Sequence, residues 1–174
     1  MRKHDKILET ERLILWPVEE QDIPALVDLW CDPEVTCFMG GPRDPEKLKV
    51  IFEMNAADPF ADTYDMYPVE EKASGSIIGH CGLLDKEVDG EIEIELVYVL
   101  ARSAWGNGYA TEISKAIIEH AFKVMGVTRL IALVDRNNKA SEKVAARLGM
   151  QKENEVIRPG GEPRQVYVLA NPYK

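Results

Sequence analysis

A short glycine loop, lying between a β-type segment and a long helical segment, has the composition of an anion-binding site. Its sequence is WGNGYA, from Trp105 to Ala110. Gly106 and Gly108 have no Cβ, so the backbone can turn tightly and bring its N–H groups against a ligand. The start of the following helix adds a partial positive charge of roughly +0.5. Because backbone N–H groups at a helix start bind phosphate well, the loop predicts a site for a phosphate-bearing ligand.

Two common phosphate motifs do not fit this loop. A dinucleotide fingerprint requires G-x-G-x-x-G directly after a strand, but position 111 is Thr. A P-loop, G-x-x-x-x-G-K-[ST], is absent from the chain. A G-x-G pair alone is equally well explained as a plain turn from strand to helix. The loop alone therefore does not identify the ligand, and the segments on either side of it must also be considered.

The elements around the loop form a β–α–β unit. Apolar residues recur at helical spacing over 108–125, and Gly126 ends that helix. A β-type segment over 91–100 precedes it, and a strand over 129–134 follows. Elsewhere the pattern predicts strands at 13–15, 64–69, 74–84, 155–157 and 165–169, and helices at 22–30, 45–54 and 138–148. The predicted fold class is mixed α+β, with an antiparallel meander before the unit.

Length and composition limit the kind of protein. A chain of 174 residues suits one domain, which we expect to span 1–174. No apolar run approaches the roughly 20 residues that a membrane crossing needs, and no signal-peptide pattern opens the chain. The three cysteines, Cys31, Cys37 and Cys81, have no C-x-x-C spacing, which argues against disulfides and zinc. We expect a soluble, cytoplasmic protein without a metal.

The charge balance adds a constraint on partners. The chain carries 21 Lys and Arg against 30 Asp and Glu, a net charge of -9. Such a surface repels nucleic acid and anionic membranes, and it suits an amine substrate. A polyanionic cofactor would therefore need a dedicated local site, which the glycine loop can supply. His80 and Cys81 are neighbours in a strand and point to opposite faces, so they cannot form a Cys–His catalytic pair.

Several segments in order along the chain resemble the GNAT superfamily of N-acetyltransferases, in particular the branch of ribosomal-protein N-acetyltransferases of RimJ/RimL type. These segments are TERLIL followed by QDIPAL near the start, IIGHCGL at 77–83, ELVYVL at 95–100, WGNGYATEI at 105–113 and NKASEKVAARLGM at 138–150. The chain departs from the pattern at four positions: Trp16 replaces an arginine, Val97 a glycine, Asn107 a basic residue and Met150 a phenylalanine. Several motifs in the same order along the chain are far more specific than the glycine loop alone.

The resemblance implies a mostly antiparallel twisted sheet of about seven strands, flanked by helices. The sheet would splay between its fourth and fifth strands, which end at Leu100 and Val134, and acetyl-CoA would lie in the gap. The pantetheine arm would add to the fourth strand through backbone groups, a known mode of strand addition. The implied cofactor-binding residues are Tyr98, Val99, Leu100, Trp105, Gly106, Asn107, Gly108, Tyr109, Ala110, Thr111, Asn138 and Ser141.

Acetyl transfer to an amine requires a neutral amine, a polarised thioester carbonyl and a proton for the leaving thiolate. Glu91, Glu93 and Glu95 share one strand face, and Glu95 is the first candidate for the base, with Glu93 as the alternative. A solvated face, or proton loss through water, would explain the same pattern. A backbone N–H near Tyr98 or Val99 would polarise the carbonyl.

The resemblance assigns Ser141 as the proton or hydrogen-bond donor to the thiolate, with Asn138 ordering the loop. Both residues are equally suited to capping a helix, with Asn138 as the N-cap. Tyr98 and Tyr109 are lesser candidates for the proton.

The predicted function is direct transfer of an acetyl group from acetyl-CoA to a primary amine. The acceptor is either a small molecule or a protein N-terminus, and the sequence does not decide between them. The alternative is a non-catalytic module that binds or senses acyl-CoA on the same fold. We expect residues 31–62 to shape the acceptor pocket, and no nucleic acid or membrane partner. The use of other acyl groups and the choice between monomer and homodimer are left open.

Overall fold

The computed structural model describes residues 1–174 and contains one sheet of eight strands with four helices. In chain order the elements are β1 (Leu8–Glu9), β2 (Leu13–Leu15), α1 (Ile23–Cys31), α2 (Pro45–Ala57), β3 (Met66–Glu71), β4 (Ser76–Val88), β5 (Glu91–Leu100), α3 (Tyr109–Lys123), β6 (Arg129–Val134), α4 (Lys139–Arg147), β7 (Gln151–Ile157) and β8 (Pro163–Ala170). Single 3₁₀ turns lie at Glu20–Asp22 and Arg102–Ala104. No helix combines the length and apolar character that a membrane span requires.

The strands lie in the order β1-β2-β3-β4-β5-β6-β8-β7, and every neighbouring pair is antiparallel except β5 with β6. These two strands run parallel and meet at one position, where Glu95 lies opposite Ile131. Beyond Glu95, the rest of β5 is paired with β4 alone. The sheet is therefore split between β5 and β6 towards their carboxyl ends.

Helices cover both faces of the sheet around this split. Leu96 and Leu100 of β5 pack with Ile113 and Ile117 of α3 in the largest apolar cluster. On the opposite face, Val99 packs in a cluster with residues of α1 and of the segment that follows it. Alternate side chains of β5 thus reach opposite layers, as the strand period requires.

Local sequence explains where the helices begin. Asp44 caps α2 by accepting a 3.0 Å hydrogen bond from the Lys47 N–H, with Pro45 at the first helical position. Asn138 caps α4 in the same way through the Ser141 N–H, at 3.1 Å. The α3 helix differs, because its cap is Gly108 at φ +78° and no side chain accepts from its first N–H groups.

The predicted fold class is confirmed, with eight strands where about seven were expected. The strand β1 was not predicted, because its two residues are too few to show an alternating pattern. The β4 strand runs on to Val88, beyond the predicted end at 84, because it forms a long hairpin with β5. The turn residues Asp89 and Gly90, at φ +50° and +85°, give this hairpin the left-handed pair that a two-residue turn favours.

Candidate active site

The glycine loop, Trp105–Ala110, presents a row of backbone donors that the protein itself does not use. None of the N–H groups of 106–111 donates a hydrogen bond to another backbone group, and no side chain accepts from the first turn of α3. Gly106 is held at φ +76°, and no atom lies within 4 Å of where its Cβ would stand. The loop thus forms a cradle of free N–H groups at a helix start, which fits a pyrophosphate.

Side chains around the cradle agree with this interpretation. The Thr111 hydroxyl is buried without a hydrogen-bond partner, and Thr111 lines the adjoining cavity. The Asn107 amide donates to the Ala104 and Trp105 carbonyls, both at 3.2 Å, and so stiffens the loop. The Trp105 indole N–H donates to the Leu100 carbonyl at 2.8 Å, which ties the loop to the end of β5.

The open edge of β5 lies beside this loop. The Ala101 N–H bonds the Ile78 carbonyl of β4, and Val99 lies opposite His80 in the same ladder. Because strand residues alternate in direction, Val99 turns its backbone groups towards β4, whereas Tyr98 and Leu100 turn theirs into the gap. Among the three predicted strand contacts, Tyr98 and Leu100 have backbone groups aimed at the gap, and only the Leu100 carbonyl has a partner there, the Trp105 indole.

The α4 helix begins on the far side of the gap. Ser141 lies in its first turn, where its N–H bonds the Asn138 side chain at 3.1 Å and its carbonyl accepts from the Tyr98 hydroxyl at 3.4 Å. The Ser141 side chain also lies close enough to the Tyr98 hydroxyl to hydrogen-bond it. The structure thus brings Tyr98 and Ser141 to one place although 43 residues separate them.

A cavity of about 610 Å³ joins these parts. Its loop end is lined by the glycine loop, except for the predicted contact Asn107, and by the α4 residues Ser141, Lys143 and Arg147. A shallower cavity of about 420 Å³ continues past Gly108 and is lined by Lys115 and again by Arg147. The Lys115, Lys143 and Arg147 side chains form no ion pair with the protein's own acids. The two cavities are thus lined by three cations without ion-pair partners, although the chain as a whole carries a net negative charge.

The carboxylates of β5 have different surroundings although they share a face. Glu91 is exposed at the hairpin tip, and Glu93 is bound by Arg129 at 3.0 Å. Glu95 is only 8% exposed, lines the cavity and lies 3.6 Å from the Lys86 ammonium. Burial raises the pKa of Glu95 above its ordinary value, although Lys86 opposes the rise. Glu95 is thus the carboxylate of this row that can accept a proton inside the cavity.

Away from the glycine loop, the cavity is lined by residues of the segment 32–41 between α1 and α2, which we call the strap. The strap end of the cavity is lined by strap residues together with Glu95, Val97 and Leu133. Arg43 donates to the Met39 and Gly41 carbonyls at 2.7 and 2.6 Å, and it is one of three arginines that fix the strap.

The other two arginines come from distant parts of the chain. Arg102 binds Glu34 at 2.7 Å and Asp32 at 3.1 Å. Arg164 donates to the Phe38 carbonyl at 3.2 Å and binds Asp135 at 3.1 Å. The expectation that residues 31–62 shape a pocket pointed to this region, but these partners, up to 126 residues away, had no signal in the sequence.

Other titratable groups lie outside the cavity. His80 faces the apolar layer of α1 and α2, where burial lowers its pKa to about 4, and its Nδ1 accepts from the Trp30 indole at 3.1 Å. Burial also raises the pKa of Cys81 to about 12, so its thiol stays protonated. The Tyr109 hydroxyl donates to Glu71 at 2.6 Å, so its proton is already engaged. No cluster of His, Cys, Asp or Glu is arranged to hold a metal ion.

The structure thus combines a split sheet with a row of unused backbone N–H groups at one end of the gap. The family model described as acetyltransferase (GNAT) domain matches residues 12–151. The chain belongs to the GNAT acetyltransferase family.

Relatives and solved structures agree with this assignment. The chain is 32% identical over 150 residues to an uncharacterized N-acetyltransferase, p20, of Bacillus licheniformis, covering 84% of this chain and 83% of p20. It is 30% identical over 161 residues to the uncharacterized protein YkkB of Bacillus subtilis, covering 92% and 93% of the two chains. Together with the family model, they identify the chain as an N-acetyltransferase.

Two solved structures show how far the fold extends. The acetyltransferase of Agrobacterium tumefaciens superposes with a TM-score of 0.79 at 27% identity, covering 97% of this chain and 96% of that one. The spermidine N-acetyltransferase of Vibrio cholerae, solved in complex with CoA and spermine, superposes with a TM-score of 0.76 at 13% identity, covering 93% and 97%. The latter likeness concerns the fold alone.

Proposed function

We propose that this N-acetyltransferase moves an acetyl group directly from acetyl-CoA to a primary amine, and that residues 1–174 form one catalytic domain of the RimJ/RimL-type branch. The observation that carries the proposal is the run of free N–H groups over 106–111, placed at the carboxyl end of a split between two parallel strands. The CoA-bound structure of the spermidine N-acetyltransferase, which has the same fold, supports the choice of carrier.

Each part of the cavity matches a part of acetyl-CoA. The cradle N–H groups and the Thr111 hydroxyl would hold the pyrophosphate, and the free cations Lys115, Lys143 and Arg147 would offset the remaining negative charge. The open edge of β5 would bond the amide groups of the pantetheine arm, as an added strand does. This arrangement directs the thioester towards Glu95 and the strap end.

The chain's own groups would then serve the three needs of the reaction. Glu95 would take a proton from the incoming ammonium, either directly or through one water, so that the nitrogen lone pair can attack the thioester carbon. The Tyr98 N–H, which points into the gap, would stabilise negative charge on the carbonyl oxygen. As the carbon–sulfur bond breaks, the Ser141 hydroxyl would donate a hydrogen bond or a proton to the departing thiolate.

The proposal is tested by following thiol release and acetyl-CoA binding in the same set of variants. Glu95→Gln and Ser141→Ala should each lower kcat by about 100-fold, the lower end of the range for loss of an acid or base, while the acetyl-CoA Kd changes little. The matched control is Glu93→Gln, on the same strand face but engaged by Arg129. Because burial raises the pKa of Glu95, the acid limb of the kcat/KM profile should lie above the ordinary carboxylate range and depend on Glu95.

The second candidate is a module that binds acyl-CoA on this fold without transferring the acyl group. The cradle would be the same in such a module. Tight acetyl-CoA binding without thiol release on any amine would favour it over the enzyme. Unchanged turnover in both Glu95→Gln and Ser141→Ala would leave the enzyme but remove their assigned roles, so that positioning would be the main source of rate.

A further inference from the structure

The strap end of the cavity differs from the loop end in the kind of group it can accept. We propose that the acceptor is a small amine with a single positive charge on an apolar body, rather than a polyamine, an aminoglycoside or an extended peptide. This inference rests on the proposed acetyl transfer and adds the chemical class of the acceptor.

The strap end of the cavity is lined mainly by apolar side chains. Val35, Phe38 and Met39 of the strap line the cavity together with Val97 of β5 and Leu133 of β6. Val35, Met39 and Val97 also pack against the apolar cluster of Val99 and Leu29 that lies beneath them. A ligand body in contact with these side chains gains free energy by losing apolar surface to them. A hydroxylated or multiply charged body would lose hydration there without new hydrogen bonds.

The acidic residues that line the cavity are already paired with cations. Only three acidic residues line it, and each forms an ion pair with a cation that does not line it. The pairs are Glu34 with Arg102 at 2.7 Å, Asp135 with Arg164 at 3.1 Å, and Glu95 with Lys86 at 3.6 Å.

The reacting amine approaches Glu95 and loses its proton there, so one positive charge is accommodated by the chemistry itself. A second or third ammonium would find no free carboxylate and would be desolvated without a partner. The net charge of the whole chain, -9, is therefore not a guide to the charge that is free to bind a ligand in the cavity. The pairing selects for a monoamine.

The contacts of Arg164 limit the size of the acceptor. The Arg164 side chain, 11% exposed, joins the strap to the turn after β6, because one guanidinium nitrogen bonds the Phe38 carbonyl and the other binds Asp135. The same nitrogen that binds Asp135 also donates to the Pro163 carbonyl at 2.9 Å, which fixes the guanidinium to β8. This bridge ties the strap to the residues after β6 and to β8. An extended peptide would have to displace it, whereas a small amine would not.

The test compares acceptors at saturating acetyl-CoA by thiol release. The panel consists of 2-phenylethylamine, n-hexylamine, spermidine, the aminoglycoside kanamycin and a short peptide with a free N-terminus. The two apolar monoamines should show kcat/KM values at least about tenfold above those of the other three. A value for spermidine, kanamycin or the peptide equal to or above that of the monoamines would overturn the inference.

One variant tests the charge argument directly. Arg102→Gln should free Glu34 and Asp32 and so raise the ratio of kcat/KM for spermidine to that for 2-phenylethylamine by about fivefold or more. The control is Arg136→Gln, which breaks a pair of similar exposure with Glu155, 2.8 Å apart, among residues that do not line the cavity. An equal ratio in both variants would contradict the role given to the ion pairs.

Failure of the proposed function would look different from failure of this inference. If acetyl-CoA binds by calorimetry and no amine, in this panel or beyond it, releases thiol, the proposed transfer falls, and the acceptor class falls with it. If polycations or the peptide are the better acceptors, acetyl transfer stands and only the acceptor class is wrong.

Discussion

The Gly108→Trp substitution should greatly weaken acetyl-CoA binding and only slightly destabilise the fold. Gly108 has φ +78°, and a Cβ there would meet only the Arg12 guanidinium, at 3.7 Å. Space is therefore available for the first side-chain atom, and the cost to the fold comes mainly from the left-handed backbone. That cost is about 1–2 kcal/mol for a residue other than glycine. For a chain of this size it lowers the Tm by about 2–8 °C.

The cost to binding should be larger. An indole at the N-cap position stands over the free N–H groups of Tyr109 and Ala110 and keeps a pyrophosphate from reaching them. A hydrogen bond to a charged group contributes about 1.5–3 kcal/mol, so the loss of two costs at least about 3 kcal/mol. The acetyl-CoA Kd should therefore rise by about 100-fold or more.

The matched control is Gly90→Trp, in the turn between β4 and β5. Gly90 has φ +85° with no atom within 4 Å of its Cβ position, so the backbone strain is comparable. It lies beyond the opposite end of β5 from the cradle. Calorimetry with acetyl-CoA should show a large loss of affinity in the Gly108 variant and none in the control, at similar Tm. Equal affinities in the two variants would refute the assignment of the cradle to acetyl-CoA.

Two further predictions concern groups on either side of the site. Burial lowers the pKa of His80 from 6.5 to about 4. As the pH falls, the imidazole is therefore protonated in the unfolded chain before it is protonated in the native protein. The free energy of unfolding should drop by about 2 kcal/mol more between about pH 7 and about pH 5 in the native protein than in His80→Phe, measured by urea denaturation. The same pH dependence in both proteins would contradict it. Arg147→Ala should raise the acetyl-CoA Kd by about five- to tenfold without changing the acceptor KM, whereas Arg136→Ala should leave both unchanged. An unaltered Kd for the Arg147 variant would remove that cation from the site.

Local patterns were predictable from the sequence because their causes are local. The glycine loop needs only two glycines and a following apolar stripe, and the structure places its backbone as the sequence predicts. The α4 start is similar, since Asn138 and Ser141 bond each other within one turn. The β6 strand, Arg129–Val134, coincides with its predicted bounds because its residues are buried and turn residues flank it.

The three glutamates of β5 show where sequence reasoning ends. Alternation places Glu91, Glu93 and Glu95 on one face, but it does not say how deep each lies. Their surroundings are decided by Arg129 for Glu93 and by Lys86 and the β6 strand for Glu95. The strap is harder still, because its conformation depends on arginines contributed by three separate segments. Nothing in the sequence of the strap, or of the segments that contain these arginines, indicates that they contact each other.

The net charge of -9 and the binding of a polyanion are compatible because they act over different distances. Excess acid sets the potential far from the surface, and salt screens that potential over about 8–10 Å. At the loop end, a bound polyanion would meet the N–H dipoles of the cradle, and the unpaired cations Lys115, Lys143 and Arg147 line the same cavities. Arg12, close by, is not available, because Glu112 binds it at 2.6 Å. The distribution of ion pairs therefore decides which charges of the chain remain free to hold a ligand: cations at the loop end, and no surplus charge at the strap end.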